Sequence, residues 1–450
     1  MLIINTMIFF LSILFPGYII TSLIFGRDNK PFLYRLALSY GLGVYFISIQ
    51  LFLYLFILRL DFSYLFFNLL FIFENIILTV YAIKKGLFKN FIIFGNINIP
   101  NFKVKEIIVI LLILIQLIFL FSNALSRPVA TYDSLTMWAY KAKTLYYEGG
   151  ISFNQDSPLY LGGGGHINYP WLVPIVQFWL HVNLGEYNDL LINLIFVIYF
   201  VCVLILVYFF LKDYTKRFNS LIFVLFLSTM PLFFYHGYNA YADLVLSYYV
   251  FASFIFLIKW VDKGRGINLV ISGIFSGISF FVKNEAIIFI IASLLLLSLY
   301  NCYNRKSKIY FKKIFNYLLF VILIMVPVLV YNIINSLGIK NTESGLGFHP
   351  EIFKSFFYVL FQSNSWNIWW FIVAVALIVN IKKIIKDRRL LAGWLYVLLF
   401  FVGFIIIYLF TEEYKYAVDF TAVGRSILVI IPVTIAVVGM SFRPKIINKT

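Results

Sequence analysis

Charged residues are scarce in this chain, and their scarcity excludes most water-soluble folds. They make up 12% of the 450 residues, against 62% hydrophobic residues, and the mean hydropathy is +0.94. Soluble domains carry about a quarter charged residues. Cysteine is also rare, since Cys202 and Cys302 are the two in the chain, and two are too few for a disulfide framework or a cysteine-based metal cluster. We therefore predict a polytopic membrane protein.

Two further absences narrow the function. The glycine run 162–165 is not followed by the Lys-Ser/Thr pair of a P-loop, so it is not a nucleotide cradle. The net charge of +17 is spread along the chain rather than gathered in one basic domain, which argues against a nucleic-acid partner.

Long apolar runs recur throughout, and a membrane span needs roughly 20 residues, with a range of about 17–25. The longer runs cover 2–25, 36–58, 62–83, 107–125, 190–211, 218–234, 243–260, 315–335, 366–381, 390–410 and 424–441. Two shorter runs, 267–282 and 286–301, flank Lys283-Asn284-Glu285 and are predicted to form a helical pair that turns at this charged break. The predicted fold class is all-α, with about 13 transmembrane helices.

The basic residues predict the orientation of the spans. If the segment after Val80 is cytoplasmic, 27 of the 36 lysines and arginines fall in inner loops, as the positive-inside rule requires. The N-terminus then lies outside the cell membrane, the C-terminus lies in the cytoplasm, and most acidic residues and all four histidines face outward. We divide the chain into a three-helix membrane extension (1–104), a core (105–335), and an outer amphipathic loop with C-terminal helices (336–450).

The longest polar interruption, 126–189, is predicted to be a large outer loop that carries the active site. Apolar residues from Ser134 to Glu148 follow the 3-4-3 spacing of one helical stripe. We expect this helix to lie on the membrane with Trp138 in the interface and Lys141 on another face. Two further segments are predicted to be interfacial helices, 169–184 and 350–361.

Asp133, directly before this helix, has two alternative roles. Aspartate in this position is a common N-cap, but a carboxylate at the membrane surface could instead accept a proton from an acceptor hydroxyl. Arg127, Lys141 and Lys143 lie in the same loop, where they could bind a lipid-linked phosphate or contact lipid headgroups.

Charged residues also stand at other predicted outward-facing helix ends. They are Asp243, Lys283, Glu285 and Arg425. Each alone is compatible with an ordinary interfacial charge, but all of them face the same side as Asp133. Glu74 differs because it lies mid-span, where a charge costs about 2.5–3.5 kcal/mol on insertion scales; we expect it to be protonated or paired and assign it no reaction.

The order of these residues resembles a known family. Asp133 follows a membrane helix, the segment Tyr169-Pro170-Trp171-Leu172-Val173-Pro174 comes next, and Ala242-Asp243, Lys283-Asn284-Glu285 and Arg425 ahead of Pro432 complete the pattern. Over about 107–441 this is similar to the GT-C superfamily of integral-membrane glycosyltransferases, in its branch of dolichyl-phosphate-mannose protein mannosyltransferase-like and aminoarabinose-transferase-like enzymes. Ser134 stands where many members carry a second acid, Tyr169 where some carry lysine, and Ser426 where tyrosine is frequent.

The resemblance implies an inverting hexosyl- or pentosyltransferase that uses a polyprenyl-phosphate sugar on the outer membrane face. It implies that Asp133 is the catalytic base and that Lys141, Lys143 and Arg425 bind the donor phosphate. Further substrate contacts are expected from Tyr132, Trp138, His166, Tyr169, Asp243, Lys283 and Glu285. The expected partners are the donor, a glycan, lipid or protein acceptor, and the bilayer; no cofactor or metal ligand is predicted, and a divalent metal ion is compatible with the pattern.

Two other functions stay open at this level. A transporter or flippase of lipid-linked glycans would place ionisable groups near the bilayer midplane and break helices in related halves, but Glu74 alone is clearly intramembrane and the sequence shows no paired interruption. An oligosaccharide polymerase or ligase would also have a large outer loop. Such enzymes rely on outer arginines, however, and these are scarce here: they are Arg59, Arg127 and Arg425.

Overall fold

The computed structural model describes residues 1–26, 30–86, 101–164, 166–304, 307–338 and 347–442, with backbone alone over 301–311. Gly165 of the glycine run and parts of the predicted C-terminal unit (339–346 and 443–450) thus lie outside the described residues. The helices are α1 (Leu2–Phe25), α2 (Phe32–Phe52), α3 (Tyr64–Lys84), α4 (Val104–Ser126), α5 (Ala139–Glu148), α6 (Leu172–Leu184), α7 (Asp189–Lys212), α8 (Arg217–Ser228), α9 (Pro231–Gly237), α10 (Ala242–Lys263), α11 (Gly266–Val282), α12 (Ala286–Asn304), α13 (Ser307–Ile334), α14 (Ile352–Phe357), α15 (Trp369–Lys386), α16 (Arg388–Phe410), α17 (Tyr414–Val418) and α18 (Val423–Ser441). Short π-helical turns extend α2 (Leu53–Ile57) and α14 (Tyr358–Gln362) and precede α5 (Ser134–Trp138).

The predicted all-helical membrane class is confirmed, but the count of 13 spans is not. Within the described ranges, nine helices are long and apolar enough to cross a membrane: α1, α2, α3, α4, α7, α10, α13, α16 and α18. Helices α8 and α9 make a tenth candidate if they are counted together, although the chain bends by 75° between them. Pro231 explains the break, because proline has no backbone N–H and clashes with the preceding turn. Helices α11 and α12 turn at Lys283–Glu285 as predicted, but α11 (Gly266–Val282) and the stretch Ala286–Tyr300 of α12 are shorter than the nine candidate spans.

Helix α10 occupies the centre of the bundle. It packs against α7, α11 and α18, and 94% of its most apolar stretch is buried inside the protein. Helices α3 and α4 lie at the outside of the bundle, because only 17% of the most apolar stretch of each is buried inside the protein. The core therefore surrounds α10.

Helices α1 and α2 make a close contact through glycines. A Cβ atom on Gly17 would lie 2.0 Å from the carbonyl oxygen of Ser39, and one on Gly43 would lie 1.9 Å from that of Ile13. Small residues at these positions let two backbones approach within a membrane. Farther along the pair, Gln50 donates a 2.6 Å hydrogen bond to the carboxyl group of Glu74 on α3, so this intramembrane acid has a partner.

Three buried tyrosines join α2 to the rest of the bundle. The Tyr40 hydroxyl donates to the carbonyl of Ile195 on α7 (3.1 Å). From α10, the hydroxyl of Tyr248 donates to the Ala37 carbonyl (2.7 Å), and that of Tyr249 donates to the Gly41 carbonyl (2.8 Å). The first helices are thus fastened directly to the centre of the fold.

The predicted loop helix is present, but its environment differs from the expectation. It runs through the π turn and α5 and ends at Gly149, whose φ of 65° lies in the left-handed region that glycine favours after a helix. Trp138, predicted to lie in the membrane interface, is 1% exposed, and Lys141, predicted on another face, is also buried. The reason is that the segment 169–184, predicted to be interfacial, contains the buried helix α6 (Leu172–Leu184), which packs against α5, α1 and α2 and covers this helix.

Candidate active site

Charged side chains from four separate parts of the chain meet at one end of the bundle. They are Asp133 ahead of α5, Asp243 in the first turn of α10, Lys283 and Glu285 between α11 and α12, and Arg425 in the first turn of α18. All five were among the predicted site residues.

Asp243 is the centre of this network. Its carboxylate accepts hydrogen bonds from the Lys283 ammonium (2.9 Å) and from the Nε atom of Arg425 (3.2 Å), one on each oxygen. The Asp243 side chain is 3% exposed and that of Lys283 is 7% exposed. A buried carboxylate is stable only when it is paired and hydrogen-bonded, and its place at the N-terminus of α10 is favourable for a negative charge.

Asp133 lies at the opposite end of the network from Glu285. Its Oδ2 atom is 2.5 Å from Nη1 of Arg425, and its side chain is 14% exposed. It makes no side-chain capping hydrogen bond, so the N-cap alternative is wrong. The next residue, Ser134, donates to the carbonyl of Ala240 (2.9 Å), which ties this loop to the segment that leads into α10.

Lys283 lies between the buried carboxylate of Asp243 and two further side chains, Glu285 and Tyr169. Its ammonium is 3.3 Å from Glu285 and 5.8 Å from the ring centre of Tyr169. Burial lowers the pKa of Lys283, but the carboxylates of Asp243 and Glu285 together hold it above its usual range. The charge of Glu285, with burial, also raises the pKa of Tyr169 above its ordinary value. At neutral pH this part of the site therefore contains an ammonium ion and a protonated phenol.

Lys141 lies beside the network rather than in it. Its ammonium donates to the backbone carbonyl of Tyr169 (3.2 Å) and lies 4.6 Å from the ring centre of Trp171. Burial lowers its pKa to about 7. The ring of Trp138 meets Tyr169 edge-on at 5.3 Å. Both residues therefore hold α5 against the segment that supplies Tyr169.

The remaining predicted residues are not brought into the network. The Lys143 ammonium lies 5.1 Å from the ring centre of Tyr187. Tyr132 is 77% exposed. The ring of His166 is 5.5 Å from that of Tyr169, at the edge of the site.

The structure adds two residues that were not predicted, His236 and Tyr241. The His236 ring stacks on Tyr241 at 4.6 Å, and its Nδ1 atom lies 3.9 Å from Asp243. The guanidinium of Arg425 lies 5.3 Å from the Tyr241 ring centre. The sequence held a signal for both, because they lie within seven residues before Asp243.

Chemically, the site contains three carboxylates and two permanent cations in alternation. Each of the carboxylates of Asp133, Asp243 and Glu285 contacts a cation. Over the described ranges, no three histidine, cysteine, aspartate or glutamate side chains form a group that could hold a metal ion. The arrangement provides a partly exposed acid beside a guanidinium group that is anchored from behind.

Comparisons with known proteins agree with this architecture. Residues 170–331 match the family model described as dolichyl-phosphate-mannose-protein mannosyltransferase. The fold is similar to the crystal structure of ArnT from Cupriavidus metallidurans bound to undecaprenyl phosphate, with a TM-score of 0.51 and 14% sequence identity. It is also similar to ArnT from the same organism in the apo state, with a TM-score of 0.52 and 13% identity.

Each of these two alignments covers 74% of this chain and 59% of the ArnT chain, so the protein spans about three fifths of that length. No curated protein matches the sequence. The family-model match and the ArnT-like fold confirm the resemblance predicted from the sequence: this chain has the fold of the GT-C integral-membrane glycosyltransferases.

Proposed function

We propose that the protein is an inverting glycosyltransferase that moves a sugar from a polyprenyl phosphate to an acceptor hydroxyl on the outer face of the cell membrane. The ion pair between Asp133 and Arg425 carries the proposal, because it places a partly exposed carboxylate, suited to act as a base, beside a guanidinium group, suited to bind phosphate. The undecaprenyl phosphate bound by ArnT supports the donor class.

Asp133 is the proposed catalytic base. The acceptor hydroxyl gives its proton to the Asp133 carboxylate while the acceptor oxygen forms a bond to the anomeric carbon. The bond from that carbon to the phosphate oxygen breaks in the same step, and the polyprenyl phosphate leaves with the electron pair. One displacement inverts the anomeric centre and needs no second carboxylate as nucleophile, in contrast to retaining glycosidases.

Arg425 is the proposed ligand of the departing phosphate. A guanidinium group binds phosphate with paired hydrogen bonds, and Asp243 fixes its plane through Nε. Lys283 binds the other oxygen of Asp243, so Asp243 is itself fixed and can hold the arginine in place. The phosphate can therefore be bound without a nucleotide-binding fold. When the donor phosphate takes over Nη1, Asp133 is released to act as base, and the cation stabilises the charge that develops on the leaving group.

The other predicted phosphate ligands have different surroundings. The Lys141 ammonium is enclosed between the Tyr169 carbonyl and the Trp171 ring. The Lys143 ammonium lies over the ring of Tyr187 instead. We therefore assign the phosphate to Arg425 and give Lys141 a supporting role. The outer location is supported by the 27 of 36 basic residues that the positive-inside rule assigns to the other face.

Transfer of radiolabelled sugar from a polyprenyl phosphate in isolated membranes tests the proposal. We expect Asp133→Asn to reduce the transfer rate by roughly 10²–10⁴-fold, the usual contribution of a general base. Asp156→Asn is the matched control, because Asp156 is an exposed acid in the same loop, and it should retain wild-type activity. Full activity of Asp133→Asn would refute the base assignment. Transport of a lipid-linked glycan across proteoliposomes without a covalent product would refute the transferase itself.

A further inference from the structure

A second polar region lies at the opposite end of α10 from the candidate active site. Asp243 is in the first turn of this helix and Lys259 is near its last turn; at 1.5 Å per residue they are about 24 Å apart along the axis. Because α10 is long and apolar enough to span the membrane, this second region belongs to the other membrane face.

A small cavity of about 70 Å³ opens there between α1, α10 and α11. Its polar lining includes Lys30, Lys259, Lys263 and Arg265, and its apolar lining includes the aromatic rings of Phe25 and Phe256. Among the described residues, no aspartate or glutamate lines it.

Local structure explains how the cations converge. Gly264 has a φ of 67° and ends α10 in a tight turn, so Lys263 and Arg265 flank the start of α11. Lys259, one turn earlier, donates a 2.9 Å hydrogen bond to the hydroxyl of Tyr34 and lies 4.8 Å from its ring centre. Its ammonium is therefore held in the wall of the cavity rather than extended into water.

Two more features suit a negatively charged ligand. No side chain caps the N-terminus of α11, where the helix dipole favours an anion. The rings of Phe25 and Phe256 stack at 6.0 Å and give the cavity an apolar wall. Two acids lie nearby, but neither lines the cavity. Asp262 is paired with Arg389, and Asp213 attracts the ammonium of Lys259 electrostatically.

We propose that this cavity binds the phosphate headgroup of a membrane lipid whose tail extends along the apolar wall. The positive-inside rule explains why cations are numerous on this face, but it does not require them to surround a cavity that also has an apolar side. Basic pockets between transmembrane helices are a known type of site for anionic headgroups. The phosphate could belong to a phospholipid or to a polyprenyl phosphate, and the site is independent of the proposed transferase activity.

Native mass spectrometry of the purified full chain, delipidated in detergent, tests the proposal. We expect dioleoyl phosphatidylglycerol or a polyprenyl phosphate to bind, and dioleoyl phosphatidylcholine to bind far more weakly. The Lys263→Gln/Arg265→Gln double variant should weaken binding roughly 30-fold, since each cation near an anionic headgroup contributes about a factor of five. Both residues are exposed, so the variant should keep the elution volume of the folded protein.

The matched control is Lys382→Gln/Lys386→Gln, which removes two exposed cations from α15 and should leave binding unchanged. A loss confined to phosphatidylglycerol identifies a phospholipid. A loss of one equivalent of polyprenyl phosphate identifies that lipid instead, whether or not a further equivalent stays bound at the candidate active site. Equal binding of phosphatidylcholine, or unchanged binding of both anionic lipids to the Lys263→Gln/Arg265→Gln variant, would overturn the proposal.

Discussion

The buried pair of Asp243 and Lys283 allows a quantitative test of how the candidate active site is held together. Their bonded atoms are 2.9 Å apart, and the side chains are 3% and 7% exposed. Removal of one member of a buried pair leaves an uncompensated charge and costs about 3–5 kcal/mol. Asp243 keeps Arg425 and Lys283 keeps Glu285 as a second partner. We therefore expect about 3 kcal/mol for Asp243→Asn and the same for Lys283→Met, at the lower end of that range.

The double variant should cost less than the sum of the single variants, because it removes both charges together. We expect a loss of about 4 rather than about 6 kcal/mol, which is a coupling of about 2 kcal/mol, within the usual span for residues in one network. Asp262 and Arg389 form the control pair at the other end of the bundle. Their atoms are also 2.9 Å apart, but their side chains are 28% and 22% exposed, so their coupling should be about 1 kcal/mol or less.

The measurement is the free energy of unfolding in mixed micelles, obtained by titration with sodium dodecyl sulfate and followed by the fluorescence of the eight tryptophans. It needs the wild type, the single variants and the double variant for each pair. A coupling below about 0.5 kcal/mol between Asp243 and Lys283 would refute the reasoning, because distant and independent residues show that much. A larger coupling in the control pair would refute it equally.

Two further predictions concern the loop and the first helices. Because burial lowers the pKa of Lys141 to about 7, the unfolded chain binds a proton between about pH 7 and pH 10 that the folded chain does not. Apparent melting temperature should therefore rise over this window in the wild type and less in Lys141→Met; equal rises would contradict this. At Gly17 a Cβ would lie 2.0 Å from the Ser39 oxygen, whereas at Gly266 it meets open space. Gly17→Ala should therefore lower the free energy of unfolding by about 1–3 kcal/mol and Gly266→Ala should not; similar values for the two variants would show that α1 and α2 are not in close contact.

The positions of the helices could be predicted from the sequence, because a run of apolar residues is a local property. The run 243–260 became α10 (Ala242–Lys263) and 267–282 became α11 (Gly266–Val282). The run 218–234 was predicted as one span, yet it breaks ahead of Pro231. The proline was the available signal, but apolar composition alone does not show whether a helix bends there.

The surroundings of the site could be predicted only in part. The spacing of apolar residues correctly predicted the helix after Asp133. It could not show that α6 packs over this helix, so the burial of Trp138 was missed. The bond from Arg425 to Asp243 joins residues 182 positions apart, and such a pair follows from the packing of α10 and α18. Family resemblance identified both residues as site candidates, while the partner of each charge required three-dimensional coordinates.

The tyrosine contacts of α2 have a consequence for the order of biogenesis. A Cβ on Gly41 would lie 2.6 Å from the hydroxyl oxygen of Tyr248, so this narrow face of α2 is shaped for a ring that the ribosome adds about 200 residues later. The α2 carbonyls already have intrahelical partners, and lipid chains can fill the groove at little cost until α10 arrives. Assembly of the centre is therefore a late event, and a nascent chain halted before α10 would lack the ring that fills this face of α2.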